Sequence, residues 1–335
     1  MFKIILLLSV ITLSFSLRSP AVYKAFNKYI LKYQKVYTSI EEFDSKYEIF
    51  EKNFIAITEM KFMHTPESSS FEFGVSPFMD LSPAEFKSKY LNLKVKDLKK
   101  AIFLNRNNVL TSKAKDAPVA HDWRQQGAVT TVKDQGGCGS CWAFSSTGNI
   151  EGQYFLKTKK LQRFSEQQLL DCDKVDQGCN GGLMESAFKH LRENGGLQGE
   201  EDYSYSGTVD ECKFDITKAK AQIMGFSFAK NADEKEIAQM LYETGPLSIA
   251  LNASTLQFYS SGVYNPSSQD ECDPAGLNHG VLLVGYGNDA SIDYWIVKNS
   301  WGPMWGESGY FRIVRGSGAC GLNTYVITAE VFPIG

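Results

Sequence analysis

The sequence predicts an α+β protein, and three patterns predict it. Apolar residues recur at helical spacing in the N-terminal third, and again just after Cys141. Beyond about Ala221 the pattern changes to short apolar runs rich in β-branched and aromatic residues. Glycine-rich turns separate those runs, as in an antiparallel sheet. At 335 residues the chain suggests roughly two domains, with enough length for a sizeable core.

Ile4 to Leu17 is the one long apolar run. Lys3 precedes it, and Ser14-Phe-Ser16 offers small residues for cleavage. It is shorter than the roughly 20 apolar residues of a membrane span. It therefore reads as a signal peptide over residues 1–16, leading into the secretory pathway, where disulfides form. Ala25, Tyr29 and Lys32-Tyr33 then begin an amphipathic helix. Glu42 to Met63 forms a longer one, with Glu42, Lys46, Ile49-Phe50, Asn53 and Ile57 on one face. Residues 86–116 lose this periodicity and hold many lysines, which predicts an exposed linker open to proteolysis.

Further helices are predicted at Cys141, with Ala143, Thr147, Ile150 and Tyr154 on a buried face, and at Ser165–Leu170. Ser165 and Gln168 have the spacing of a capping box. Leu183–Arg192 and Asp233–Tyr242 complete the helices. The predicted strands are Gln222–Phe228, Leu247–Leu251, His279–Gly285, Tyr294–Lys298 and Tyr310–Val314.

The net charge of −3 provides no basic surface for nucleic acid. Charge does divide the chain. Residues 17–116 hold 17 Lys and Arg against 12 Asp and Glu, a balance of +5. Residues 117–335 hold 17 against 26, a balance of −9. Opposite signs favour attraction between the two parts.

All seven cysteines lie at or beyond position 138, and an odd number in a secreted chain leaves one thiol free. Cys138-Gly-Ser-Cys141 alone fits a redox motif or half a zinc site. However, a redox pair is expected within a β-α-β pattern, which is lacking around this motif. Cys141 instead opens a helix, where unpaired N–H groups and the helix dipole favour the reactive thiolate. Glycines before it allow close approach of a ligand to the backbone. Of the four histidines, His64 lies in the N-terminal region and His121 beside Asp122-Trp123-Arg124. His190 sits among apolar helix residues. His279 begins the apolar run Val281–Val284.

The flanks of Cys141 decide the matter. Gln135-Gly-Gly-Cys-Gly-Ser-Cys-Trp-Ala-Phe144 contains the pattern found around the papain and cathepsin nucleophile. His279 follows Cys141 by 138 positions and Asn299 by 158, the latter within Asn299-Ser-Trp-Gly-Pro-Met-Trp-Gly306. Over about its whole length the chain resembles a papain-family cysteine peptidase precursor. The Glu42–Met63 helix resembles the long prosegment helix of cathepsin zymogens, with Lys46 where Arg is usual and Lys61 where Asn is usual. Gly74-Val-Ser-Pro-Phe-Met-Asp80 resembles the second prosegment motif, with Ser76 in place of Asn.

The resemblance implies a helical lobe and an antiparallel β-barrel lobe with the cleft between them, preceded by a helical prosegment. It implies an inhibitory propeptide over 17–116, passing through the cleft and then removed. The mature peptidase follows over 117–335, the cut falling near Ala117-Pro118. It selects the disulfides Cys138–Cys179, Cys172–Cys212 and Cys272–Cys320. Cys141 and His279 become the thiolate–imidazolium pair. Asn299 orients the imidazole, and Trp301 and Trp305 cover it. The Gln135 amide and the Cys141 N–H face the oxyanion. Leu183, Met184, Ala250, Leu277 and Tyr325 line the specificity pocket, with Gly181 and Gly182 contacting the peptide backbone.

No cofactor or metal is implied. The partners expected are protein and peptide substrates, the chain's own propeptide and cystatin-type inhibitors. The protein is expected to be a monomer of a lysosome, another acidic vacuole or the extracellular space, latent near pH 7 and activated by acid. Asp80, if buried, would contribute to that switch.

Several positions depart from the family. Asn278 stands where Asp is common, Thr131 where Pro is frequent and Asp134 where Asn is frequent. Glu201-Asp-Tyr-Ser-Tyr205 and Ser317-Gly-Ala-Cys-Gly321 resemble cathepsin F, whereas the prosegment resembles the L type, so the branch stays open. Asn252-Ala-Ser254 is a sequon at a strand end, a candidate for glycosylation. The competing function is a catalytically inactive papain-like binding protein. Such relatives lose the nucleophile or the histidine, and here Cys141, His279, Asn299 and Gln135 are all filled.

Overall fold

The structure is a computed structural model that describes residues 19–63, 70–93, 109–110, 117–229, 233–266, 272–289 and 292–334. The apolar leader and most of the lysine-rich linker lie outside the described residues. The prosegment comprises α1 (Pro20–Tyr33), α2 (Ile40–Met63), β1 (Phe71–Phe73) and α3 (Pro83–Tyr90). After β2 (Val109–Leu110) and β3 (His121–Asp122) come the helices of the first lobe, α4 (Cys141–Thr158), α5 (Glu166–Cys172) and α6 (Met184–Asn194). The second lobe is built from β4 (Leu197–Gln198), β5 (Ala219–Ala229), α7 (Glu234–Thr244), β6 (Leu247–Leu251) and β7 (Tyr259–Tyr264). It continues with β8 (His279–Asp289), β9 (Ile292–Lys298), β10 (Tyr310–Val314) and β11 (Val326–Pro333).

The sheet runs β1-β7-β10-β9-β8-β6-β11-β5-β2, with β3 on β8 and β4 on β5. Most pairings are antiparallel; β10 with β7 and β2 with β5 are parallel. Two expectations needed correction. Burial in α4 exceeds the predicted face over Cys141 to Gly152, which are buried on every side, while Tyr154 and the last turn are only half-buried or exposed. Strands β7 and β11 were not predicted. In β7 Gly262 interrupts the run, and β11 is buried on both faces over its first four residues, so neither alternates cleanly. At α5 only half of the capping box exists. Ser165 Oγ accepts from the Gln168 N–H at 3.0 Å, but the Gln168 amide instead bonds Gly196 and Gln198.

The prosegment differs most from expectation. Residues 86–93 are not an exposed linker. A complete capping box, Ser82 with Glu85, starts α3, and Phe86, Leu91 and Leu93 are buried. Phe78, Phe86 and Tyr90 pack against the Trp301 ring at 5.5, 5.1 and 6.3 Å between centroids. β1 extends the sheet by pairing antiparallel with β7. Gln257 Nε2 donates to the carbonyls of Phe78 and Leu81. Docking therefore rests on aromatic burial and backbone hydrogen bonds. The ion pairs of the described prosegment, Lys35–Asp80 and Lys46–Glu85, both lie within it, so net charge is not what holds it through direct pairs.

The two prosegment motifs meet where α1, α2 and the 74–80 turn cross. Asp80 is buried and accepts from Tyr29 Oη at 2.6 Å, Tyr37 Oη at 3.1 Å and Lys35 Nζ at 3.1 Å. Asn53 Nδ2 donates to the carbonyls of Met79 and Leu81. Lys46, in the usual arginine position, keeps an ion pair with Glu85 at 2.9 Å. Asp80→Ala would remove the shared acceptor of three donors, of which Tyr29 keeps the Pro77 carbonyl at 2.9 Å, at a cost of about 3 kcal/mol. The expected result is a lower melting temperature for the zymogen and faster loss of latency, with the matured enzyme unchanged. An unaltered zymogen melt would show that Asp80 is not the anchor.

Candidate active site

Cys141 begins α4 and is the one cysteine left free; the bridges are Cys138–Cys179, Cys172–Cys212 and Cys272–Cys320. This excludes the redox pairing of Cys138 with Cys141. The first bridge holds the loop before α4 to the segment preceding Gly181. Across the cleft, His279 is the first residue of β8, and β9 carries the chain to Asn299 one residue beyond its end. His279 Nε2 lies 2.8 Å from Asn299 Oδ1. The Ser300 N–H donates to the same Asn299 atom at 2.8 Å, which identifies it as the oxygen. Nε2 therefore carries the proton, and Nδ1 is left without a hydrogen-bond partner. The His279 ring lies 4.8 Å from Trp301, and Trp301 meets Trp305 edge-on at 4.7 Å.

Gln135 is gripped from the β lobe. Its N–H donates to the Ser300 carbonyl at 2.8 Å, and its Oε1 accepts from Ser300 Oγ at 2.7 Å. The amide nitrogen is thereby aimed back along the loop. It donates to Cys138 O at 2.9 Å and, more weakly at 3.4 Å, to Tyr90 O of the prosegment. The prosegment also crosses both sides of the cleft: Asn92 lies against Gly139, and the Leu93 N–H donates to Asn278 O at 3.1 Å. Leu93 belongs to the same buried apolar cluster as Leu183, Met184, Ala250, Leu277 and Tyr325. Tyr325 is buried, and its hydroxyl accepts from the Glu185 N–H at 3.0 Å, which fixes the ring. Gly181 has a φ of 105°. A Cβ on Gly182 would come within 2.6 Å of both Asp176 and Trp142, so that backbone position requires glycine.

Two sequence expectations concerned neighbours of the site. Asn278 Nδ2 donates to Asn252 Oδ1 at 3.1 Å and Ser254 Oγ at 2.9 Å, while its Oδ1 accepts from the Ala253 N–H. An aspartate there would lose both donated bonds, which accounts for the amide. Asn252 is 8% exposed, and Nδ2, the atom that a glycan would modify, donates to Asp273 O at 3.1 Å. A glycan on the folded protein would have to be accommodated around this buried amide. Of the other histidines, His121 is half-buried on β3 and His190 half-buried on α6, both remote from the Cys141–His279 pair in the sheet and helix order. Reading the sequence gave no site role to Tyr90, Leu93, Ser300 or Tyr205; Ser300 and Tyr205 carried a signal, each through its place in a motif.

With the prosegment docked, Cys141 and His279 are wholly buried. Burial pushes the Cys141 thiol up to about 11, although N–H groups of Gly280, Asn92 and Trp142 act the other way. Burial likewise pushes His279 down to about 4 against the opposing bond to Asn299. Burial thus opposes charge on both groups in this form, and a more open cleft favours the ion pair expected from the sequence.

The Peptidase_C1 pattern, the papain family cysteine proteases, matches residues 117–330, and the cathepsin propeptide inhibitor pattern matches 26–86. The chain belongs to the papain family of cysteine proteases, as a form carrying its inhibitory propeptide domain. Cysteine proteinase 15A of Pisum sativum is 43% identical over 319 residues, 90% of this chain and 85% of that protein. Cathepsin F of Mus musculus is 43% identical over 321 residues, 95% of this chain and 66% of that protein. The structure of the digestive procathepsin L2 proteinase of Tenebrio molitor superposes with a TM-score of 0.83 at 34% identity. It covers 92% of this chain and 99% of that one.

The direction of the pH effect follows from His279. Its pKa is lower in the closed form than the ordinary value of about 6.5. Where the thiol is absent, this depressed value favours the closed form above about pH 6.5, and the preference is lost as pH falls toward 4. In the wild type the open ion pair and the closed neutral pair each hold one proton, so the pair itself adds no slope there. Glu85 acts lower: partial burial raises it, but bonds from Lys46 and Ser82 hold it at about 2. Its contribution persists to roughly pH 4 and is lost below that. In a Cys141→Ala zymogen, trimming by added mature protease should accelerate between pH 6.5 and 4. His279→Ala in that background should flatten this rise. A rise unchanged by His279→Ala would assign the switch to other groups.

Proposed function

We propose that the protein is a cysteine endopeptidase made as a latent secretory zymogen and matured in acid by cleavage near Ala117. The observation that carries this reading is the free Cys141 at the start of α4, in a cleft where His279 is already oriented by Asn299. Once the prosegment leaves, water and substrate reach the pair, and proton transfer from thiol to Nδ1 gives the thiolate–imidazolium form. The thiolate attacks the substrate carbonyl carbon, forming the S–C bond. The oxyanion accepts hydrogen bonds from Gln135 Nε2 and the Cys141 N–H. His279 protonates the leaving amine, and water then hydrolyses the thioester with His279 as base. Trp301 and Trp305 keep water from the His279–Asn299 bond.

The leader and the propeptide support an acidic vacuole, a lysosome or the extracellular space as destination, with a monomer as the working form and cystatin-type proteins as outside inhibitors. Leu183, Met184, Ala250, Leu277 and Tyr325 form the pocket for the residue preceding the one that bears the scissile carbonyl. Leu93 in the same apolar cluster supports an aliphatic occupant. Burial of such a side chain contributes about 1.5–3 kcal/mol. The fixed Tyr325 ring shortens the pocket, so Leu and Val exceed Phe there. Asn252 acts as a structural amide rather than a glycan carrier.

Cys141→Ala should abolish hydrolysis while leaving the fold intact; turnover by the clean variant would refute the mechanism. In a peptide library, wild-type enzyme should prefer Leu to both Phe and Arg at the pocket position. Tyr325→Ala should raise Phe relative to Leu. Preference for Arg would refute the pocket assignment and leave the Cys141 chemistry standing.

A further inference from the structure

We propose that Tyr205 is a positioning residue that ties together the two oxyanion-binding donors. Tyr205 lies in the loop after β4, outside the catalytic motifs, and none of the proposed catalytic steps uses it. Its hydroxyl donates to the Gln135 carbonyl at 2.8 Å and lies 2.7 Å from Ser140 Oγ. A phenol has one hydrogen, and a carbonyl has none. The Tyr205 proton therefore goes to Gln135, and Ser140 must be the donor in the second contact. A directional chain results, from Ser140 Oγ through Tyr205 Oη to Gln135 O, in which each bond strengthens the next.

Both ends of this chain set a peptide plane. The Gln135 carbonyl belongs to the peptide leading into Gly136, which has a φ of 60°, so its orientation fixes the direction from which the Gln135 side chain leaves. Ser140 precedes Cys141, and its ψ of 15° sets the plane that carries the Cys141 N–H. Ser300 holds Gln135 from the β lobe through the N–H and Oε1. Tyr205 holds its carbonyl from the helical side, and so ties it directly to the Cys141 end. Tyr205 is itself fixed. Its ring stands edge-on to Phe144 of α4 at 4.9 Å, and its N–H donates to Glu200 Oε1 at 3.0 Å. Burial raises the hydroxyl far above its ordinary range, so it remains a donor at every working pH.

The proposal rests on the assignment of Gln135 and the Cys141 N–H to the oxyanion, and the experiment separates the two. Matured wild type, Tyr205→Phe, Gln135→Ala and the double variant are compared. Two kinds of probe are used besides a peptide substrate. One is a peptidyl aldehyde, to whose carbon the thiol adds so that the former carbonyl oxygen meets these donors. The other is iodoacetamide, which alkylates the thiol without making an oxyanion.

Tyr205→Phe should lower kcat about tenfold with KM within about twofold, a fraction of the roughly 100-fold or larger loss from removing a donor outright. Aldehyde affinity should fall in parallel, and the alkylation rate should stay unchanged. In the Gln135→Ala background, Tyr205→Phe should cost markedly less than alone. Unchanged kcat and aldehyde affinity in Tyr205→Phe, with Gln135→Ala impaired, would overturn the proposal. A loss confined to melting temperature, or an equal fall in alkylation, would also overturn it, because the role would then be structural. An unimpaired Gln135→Ala would instead overturn the oxyanion assignment.

Discussion

The Trp301 indole is the contact on which both states of this protease depend. One neighbour is the His279 imidazole, 4.8 Å away, and behind it stands Trp305. The other neighbours are Phe78, Phe86 and Tyr90 of the prosegment. The ring is almost fully buried between them. A tryptophan suits both tasks. It contributes a large apolar surface for docking and shields a histidine hydrogen bond from water. In the mature enzyme the face now covered by Phe86 would lie open to the cleft.

That shared ring makes latency an electrostatic as well as a steric matter. A prosegment seated on Trp301 removes water from Cys141 and His279 together, and each becomes harder to charge. The Asn299 bond and the N–H groups at the start of α4 favour the charged forms, but desolvation exceeds them while the cleft is closed. Beneath the pair the lobes are joined by a further buried network. Lys133 contacts Glu151 at 2.8 Å and Glu166 at 2.6 Å, and Lys298 donates to Thr130 at 2.9 Å. Two cations and two carboxyl groups balance there, so the junction carries paired rather than isolated charge.

Much of this was legible in the sequence, for definable reasons. Cys141, His279 and Asn299 stand in short motifs, and their chemistry restricts the residue types. The long helix α2 repeats its inward residues, Tyr47, Phe50, Asn53 and Ile57, at helical spacing. The free thiol follows from an odd number of cysteines. What escaped depends on contacts between distant segments. α3 is eight residues long and carries one deeply buried side chain, Phe86, which packs on a tryptophan more than 200 positions away. β1 is a strand only because β7 presents an edge to it. The charge division between the segments rests on lysines and arginines outside the described residues; within the described residues the contacts of the prosegment are aromatic and backbone ones. The Asn278 amide was visible as a departure, but its reason was not, because Asn252 and Ser254 approach it only through the turn of the sheet. Tyr205 was noticed as part of a motif and not as a residue beside the catalytic helix.

The central claim is that the docked prosegment keeps the catalytic pair uncharged, and that its removal permits the ion pair. Thiolate absorbance in the ultraviolet tests it directly, recorded against pH for the zymogen and the matured enzyme, with a Cys141→Ala zymogen as blank. The account predicts no Cys141 thiolate in the intact zymogen through pH 8. In the matured enzyme it predicts thiolate persisting in acid, toward the pKa of about 3–4 known for a His-paired thiol of this kind. Thiolate of equal magnitude below pH 7 in both forms would contradict it, leaving steric blockage as the whole of latency.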